Sequence, residues 1–184
     1  MSGGDGFTRW RVRVGYALAI VVFWLARPTL DSIALGAAIG AAGLLVRGLA
    51  AGYLRKREAL ATAGPYAYTR NPLYVGSAIL AGGFAVACRS WPAAALVSVY
   101  FSVFYIAVMR REEQELRRQY GAAFEEYAAR VPLFFPVSWK TAGTGEGARS
   151  FSWQQYARNR EYQAAIGLVL VVGLLFILRH WQAR

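Results

Sequence analysis

The sequence predicts an all-α membrane protein, a bundle of about five transmembrane helices, and three observations carry that prediction. Apolar residues make up 57% of the 184 residues and charged residues 17%, against about 45–50% and about 25% in soluble domains. The apolar residues gather into runs close to the roughly 20 residues a helix needs to cross the hydrocarbon core. The basic residues, which bring the net charge to +11, are shared unevenly between the connections, as positive-inside topology requires. The length suits one domain, so residues 1–184 read as a single integral membrane unit.

The first apolar run covers residues 12–26, with Trp10 and Arg11 as an interfacial anchor before it and Arg27-Pro28 ending it. A cleaved signal peptide is the rival reading, but no A-x-A cleavage pattern follows. The second run covers residues 33–54 and contains Gly36-x-x-x-Gly40 and Gly48-x-x-x-Gly52. That spacing lines small residues on one face and allows close helix approach. Arg47 interrupts it. Such an arginine either faces a partner or wet cavity, or snorkels to the headgroups. The third and fourth runs, residues 72–88 and 92–109, each begin with proline, which suits a first helical turn. The short Arg89-Ser90-Trp91 link makes them an antiparallel hairpin. The last run covers residues 162–178, and Ser152-Trp153-Gln154-Gln155 reads as a capping box that starts this helix before the membrane.

Arg9, Arg11 and Arg13 precede the first run. Arg55, Lys56, Arg57 and Arg70 follow the second, and many more basic residues lie between Arg110 and Arg160. The two other turns carry one each, Arg27 and Arg89. The N-terminus and both long loops are therefore expected in the cytoplasm. Basic charge alone also suits a nucleic-acid partner, but the apolar runs decide for a membrane partner and against nucleic acid. One cysteine, Cys88, and one histidine, His180, exclude an intrachain disulfide and a zinc-type ligand cluster, so no metal is expected. Residues 138–150 read as a flexible linker. Their Gly143-x-Gly145-x-Gly147 is no dinucleotide fingerprint, because no strand precedes it.

Two polar regions are where chemistry is expected. In GPYAYTRNPLYVG, Gly64 to Gly76, three tyrosines (Tyr66, Tyr68, Tyr74) crowd one loop. Asn71 reads as a helix N-cap with Pro72 at the first position. The helix N-terminus is suited to a carboxylate. The plainer reading is a capped helix with an aromatic belt. The second region, residues 110–130, continues the fourth run as an amphipathic cytosolic helix. Val108, Glu112, Leu116, Tyr120 and Phe124 recur every four residues, extended by Tyr127 and Val131. Glu113 is placed to pair with Arg117, and Glu126 with Arg130. Glu112 is left as a carboxylate on an apolar stripe, needing a partner: Arg47, Arg70 or a bound cation.

These two regions and the Tyr-Gly…Tyr…Val-Pro…Pro tail together resemble the isoprenylcysteine carboxyl methyltransferase and phospholipid methyltransferase superfamily. These are integral membrane enzymes that use S-adenosylmethionine. The matching positions are Arg70, Pro72, Tyr74 and Gly76, then Glu112 and Glu113, within a stretch from about Arg47 to Pro136. Asn71 stands where the family pattern has histidine, and an asparagine cannot act as a base near neutral pH.

The resemblance implies a cytosolic S-adenosylmethionine pocket and a lipid-like acceptor arriving from the bilayer, such as a prenylated cysteine carboxylate or a phospholipid amine. It implies catalytic roles for Arg47, Arg70 and Glu112. Cofactor contacts are then expected from Tyr66, Tyr68, Arg70, Asn71, Pro72, Tyr74, Gly76, Glu112 and Glu113, under a tail containing Val131 and Pro132. Arg47 is the candidate grip for an acidic acceptor, and Glu161 a candidate lining of the acceptor entrance. A non-catalytic lipid-binding or assembly protein would not need Arg70 and Glu112 together. A small transporter would need more mid-span polar residues than Arg47, Ser77, Ser98 and Ser102.

Overall fold

The computed structural model describes residues 3–55, 58–135 and 150–184, the side chains of residues 3–9 and 11 aside. The described residues form seven α-helices: α1 (Gly3–Leu25), α2 (Leu30–Tyr53), α3 (Pro72–Cys88), α4 (Trp91–Tyr120), α5 (Ala122–Arg130), α6 (Trp153–Arg158) and α7 (Tyr162–Gln182). A short 3₁₀ turn, Gly64–Ala67, precedes α3. This is the helical membrane bundle that the sequence predicts. Helices α2, α4 and α7 are long and apolar enough to cross a bilayer, and residues Val12–Leu25 of α1 and Pro72–Cys88 of α3 are shorter apolar helices.

Local chemistry sets the ends. Thr29 and Ser32 form a reciprocal capping box: Ser32 N–H donates to Thr29 Oγ1 at 3.2 Å, and Thr29 N–H to Ser32 Oγ at 2.9 Å. A cap of this kind stabilises a helix start by about 1 kcal/mol. Ser90 caps α4 by accepting from Ala93 N–H. Arg89, at φ 49°, turns the chain between α3 and α4.

Three expectations about the elements need correcting. Ser152 caps the six-residue α6 one way, accepting from Gln155 N–H, and a turn at residues 159–161 separates α6 from α7. The amphipathic helix is two helices, broken where Gly121 adopts φ 52° and ψ −125°, a conformation open mainly to glycine. Asn71 stands at the N-cap position of α3 but makes no side-chain cap. The expected linker at residues 138–150 lies outside the described residues except for Ser150.

The most extensive helix contact is between α2 and α3, and glycine makes it. A Cβ on Gly83 would lie 2.6 Å from Gly36 O and 2.8 Å from Gly40 N. In lipid, association rests on such close van der Waals packing. The second glycine pair has a different partner: Gly48 and Gly52 face Tyr156 and Phe151, which dock the α6 segment on the end of α2.

At one end of the bundle, Val22, Ala26, Ile33, Ala87, Cys88, Ala93 and Leu175 form a buried apolar cluster. Gln182 Nε2 donates to Ala26 O at 3.0 Å and so ties the end of α7 to the chain before α2. Trp24, Trp91 and Trp181 are strongly exposed there, as interfacial tryptophans are. The opposite end holds the C-terminus of α2, the N-termini of α3 and α7, and the polar extension of α4. A second apolar cluster, Phe124, Tyr127 and Val131 with Leu60, Leu116, Tyr120 and Ala128, packs α5 there.

Candidate active site

The loop before α3 is laced to the segment after α5. Arg70 N–H donates to Pro132 O at 2.9 Å. Asn71 Nδ2 donates to Leu133 O at 3.0 Å, and Thr69 Oγ1 to Phe134 O at 2.9 Å. Tyr127 O–H donates to Tyr66 O at 2.7 Å. Burial pushes the Tyr66 and Tyr127 hydroxyls well above the ordinary tyrosine range, so both remain neutral.

This lacing frames a cavity of about 490 Å³ whose lining includes Tyr66, Asn71, Pro72, Tyr74, Tyr120 and Tyr127. Its volume lies within the roughly 300–1,000 Å³ of small-molecule sites. Four glutamates (Glu112, Glu113, Glu115, Glu161) and three arginines (Arg47, Arg55, Arg70) also line it. Of the sequence-predicted residues, Arg47, Tyr66, Arg70, Asn71, Pro72, Tyr74, Glu112 and Glu113 therefore share one cavity. Tyr68, Gly76, Val131 and Pro132 do not line it. Gly76 packs against Gly43 and Arg47 at the α2–α3 seam. Val131 belongs to the apolar cluster under α5, and Pro132 contributes its carbonyl to the lacing.

The pairings differ from those expected. Glu112 is exposed, because α4 has left the apolar layer by this point, and it accepts from Tyr74 O–H at 2.7 Å. Tyr74 is held edge-on to Tyr105, ring centroids 5.5 Å apart. Glu113 pairs with Arg70, not Arg117, at 3.0 Å. Arg117 pairs with Glu125 instead, while Glu126–Arg130 forms as expected. Arg47 is not an open grip for an acid. Its Nε and Nη2 donate to Glu161 at 2.9 Å each, and its Nη1 donates to Leu73 O at 3.3 Å and to Ser77 Oγ. The α3 N-terminus has little donor capacity to offer a carboxylate. Pro72 has no N–H, and the N–H groups of Tyr74 and Val75 already donate to Asn71 O.

Arg70 and Glu113 are the unfinished part of the site. Arg70 Nε and Glu113 Oε1 are buried without a hydrogen-bond partner among the described residues. Their side chains meet as charges without hydrogen-bond alignment. Leaving a buried polar group unsatisfied costs about 1–3 kcal/mol, more for charged groups, and the 3.0 Å ion pair between Arg70 Nη1 and Glu113 Oε1 offsets part of that cost.

The chain matches the phospholipid methyltransferase family over residues 10–123, more than half its length. It belongs to that family. The match runs through α1 to α4 and so includes Arg70, Tyr74, Glu112 and Glu113. The chain is 34% identical over 137 residues to the cobalt-zinc-cadmium resistance protein CzcN of Cupriavidus metallidurans, covering 69% of this chain and 62% of the relative. It is 33% identical over 137 residues to the nickel-cobalt-cadmium resistance protein NccN of Alcaligenes xylosoxydans xylosoxydans, with the same coverage. It thus spans about three fifths of the length of these relatives. A third relative, the protein-S-isoprenylcysteine O-methyltransferase of Schizosaccharomyces pombe, is 33% identical over 82 residues, 45% of this chain and 35% of the relative. No solved structure matches the chain significantly.

Sequence reasoning missed several of the family member's site features. Thr69, Tyr127 and the carbonyls of Leu133 and Phe134 build the lacing. Gln119 and Leu60 line the cavity. The apolar stripe that contains Leu116, Tyr120, Phe124 and Tyr127 was the available signal for Tyr127. Nothing local marks Thr69 or Leu60, whose partners lie on other elements.

Proposed function

We propose that the chain is an S-adenosylmethionine-dependent membrane methyltransferase acting on a lipid-like acceptor, first of all a carboxylate such as that of a prenylated cysteine. One observation carries this reading: Arg70 and Glu113 line a tyrosine-rich cavity of a family member, joined by the Nη1–Oε1 ion pair, while Arg70 Nε and Glu113 Oε1 make no hydrogen bond among the described residues. The amino-acid end of S-adenosylmethionine offers what these two atoms lack, a carboxylate for Arg70 and an ammonium for Glu113. Glu112, held by Tyr74, adds an acceptor for the ammonium or a ribose hydroxyl. Tyrosine faces favour a sulfonium by about 0.5–2 kcal/mol, and Tyr66, Tyr74 and Tyr120 line the cavity. When bound, the cofactor supplies an electrophilic methyl carbon.

The chain's contribution is then alignment and exclusion of water. A carboxylate acceptor is already ionised near neutral pH, since its ordinary pKa is about 4, so it needs no base. That agrees with asparagine at position 71, whose amide is engaged with Leu133 O. The basic loops favour a cytoplasmic location for this end of the bundle.

A phospholipid amine is the second reading. The cavity carries four glutamates against three arginines, and that surplus favours a cationic acceptor if the cofactor's own charge does not use it.

The test is S-adenosylhomocysteine binding by detergent-purified protein, wild type against Glu112→Ala. Binding by the wild type is expected, with about tenfold weakening in the variant, as for loss of a charged hydrogen-bond partner. A wild-type protein that does not bind would overturn the methyltransferase reading. Equal binding by the variant would remove Glu112 from the site. Labelled S-adenosylmethionine offered with extracted lipids then separates an ester product from a methylated amine.

A further inference from the structure

Arg47 and Glu161 are far apart in sequence, yet they form a largely enclosed ion pair on the cavity lining that joins α2 to the turn before α7. Their side chains are 21% and 10% exposed. The guanidinium is anchored in two independent ways. Its Nη1 is fixed on α3 by Leu73 O and Ser77 Oγ. Its Nε–Nη2 edge, the fork that matches a carboxylate in two parallel hydrogen bonds, is taken by Glu161. The fork would thus keep its position without Glu161. The turn leading into α7 also has its own anchor, because Asn159 Nδ2 donates to Ala51 O and Leu54 O at 2.9 Å each.

We propose that Glu161 stands in for the acceptor's acid group, and that an entering anionic amphiphile exchanges with it on the Arg47 fork. This proposal rests on the methyltransferase reading and names its acceptor-selecting contact. Exchange of one carboxylate for another keeps the guanidinium paired, and the displaced Glu161, which lines the cavity, must then be hydrated or protonated there. A neutral amphiphile would separate the pair and replace neither charge. A cationic one would be brought towards Arg47. The pair therefore selects by disfavouring the wrong headgroups as well as by accepting the right one.

The experiment compares binding of dodecanoate, dodecanol and dodecyltrimethylammonium to wild type, Glu161→Gln and the double variant Arg47→Gln/Glu161→Gln, all purified in neutral detergent. Removing the internal competitor should tighten dodecanoate binding about tenfold in Glu161→Gln, the scale of one displaced charge pair. Dodecanol should respond far less, and the double variant should lose the gain. Should Glu161→Gln fail to fold by thermal melting, Glu161→Asp keeps the charge on a shorter arm and is expected to bind dodecanoate more tightly than wild type. Dodecanoate binding that is unchanged or weaker in the folded variants overturns the proposal. So does loss of dodecyltrimethylammonium binding on removal of Glu161, which would assign the pair to a cationic acceptor. Wild-type S-adenosylhomocysteine binding, measured alongside, reports on the methyltransferase reading separately.

Discussion

Tyr74 shows how one side chain joins the membrane part of the site to the aqueous part. Its ring packs edge-on to Tyr105 inside the helix pair, and its hydroxyl reaches Glu112 on the polar extension of α4. A phenylalanine keeps the ring contact and loses only the donor. Tyr74→Phe is therefore expected to weaken S-adenosylhomocysteine binding about three- to tenfold, the effect of one hydrogen bond to a charged group. The melting temperature should barely move. Calorimetric titration of both proteins checks this, and unaltered binding would mean that Glu112 does not need Tyr74 for orientation. Residue types and spacing singled out Glu112, and the family resemblance added Arg70, Tyr74 and Glu113. They could not assign the partners. Glu113 sits at the right interval for Arg117, yet Arg70, which precedes it by more than one full hairpin, pairs with it instead. The reason is burial: Arg117 is half exposed and finds Glu125 across the Gly121 break, while Arg70 is enclosed and requires a nearby anion.

Glycine decides how the elements pack. Gly83 faces backbone atoms of α2, which cannot move aside as a flexible side chain can. Gly82, its neighbour, has nothing within 4 Å of an added Cβ. Gly83→Ala should then destabilise the protein by about 1–3 kcal/mol, as overpacked cores do. Gly82→Ala should be neutral or slightly stabilising, since alanine is the better helix former by about 1 kcal/mol. Thermal melting in one detergent compares the two. Equal effects would show that the α2–α3 seam is looser than described. The small-residue spacing in α2 announced a close contact, but not that Gly36 meets α3, that Gly40 sits between α3 and Leu168 of α7, and that Gly48 and Gly52 meet the α6 segment. Both faces are equally glycine-rich, and only the path of the chain after α5 distinguishes them.

For the molecule as a whole, two measurements follow from where polar groups lie. Tyr66 and Tyr127 join the loop before α3 to α5, and burial raises both hydroxyls above the ordinary value of 10.0. Above that pH the unfolded chain loses these protons and the folded one keeps them. Their contribution is thus complete below about pH 10 and falls as the pH rises further. An alkaline titration should show two tyrosines ionising only with loss of structure, and Tyr127→Phe should leave one. Ionisation of all tyrosines with the fold intact would contradict their burial. Orientation is the second measurement. The basic loops predict the cavity end in the cytoplasm. In sealed vesicles of known sidedness, Glu58→Cys should react with an impermeant maleimide only from the cytoplasmic side, and Trp91→Cys only from the other. Cys88 is buried and contributes little background. The opposite pattern would invert the topology.

The apolar runs, their lengths and the distribution of basic residues determined that the chain is a helical membrane bundle, and the family resemblance of GPYAYTRNPLYVG and RREEQEL pointed to residues that line one cavity. These are local properties, because in lipid each spanning segment must satisfy its own backbone hydrogen bonds. Tertiary structure alone decided that Arg47 is held by Glu161, that Asn71 bonds Leu133 O rather than capping α3, and that Arg70 and Glu113 pair beside a common cavity. Each of those depends on which distant elements meet, and buried charges take whichever partner the packing brings within reach.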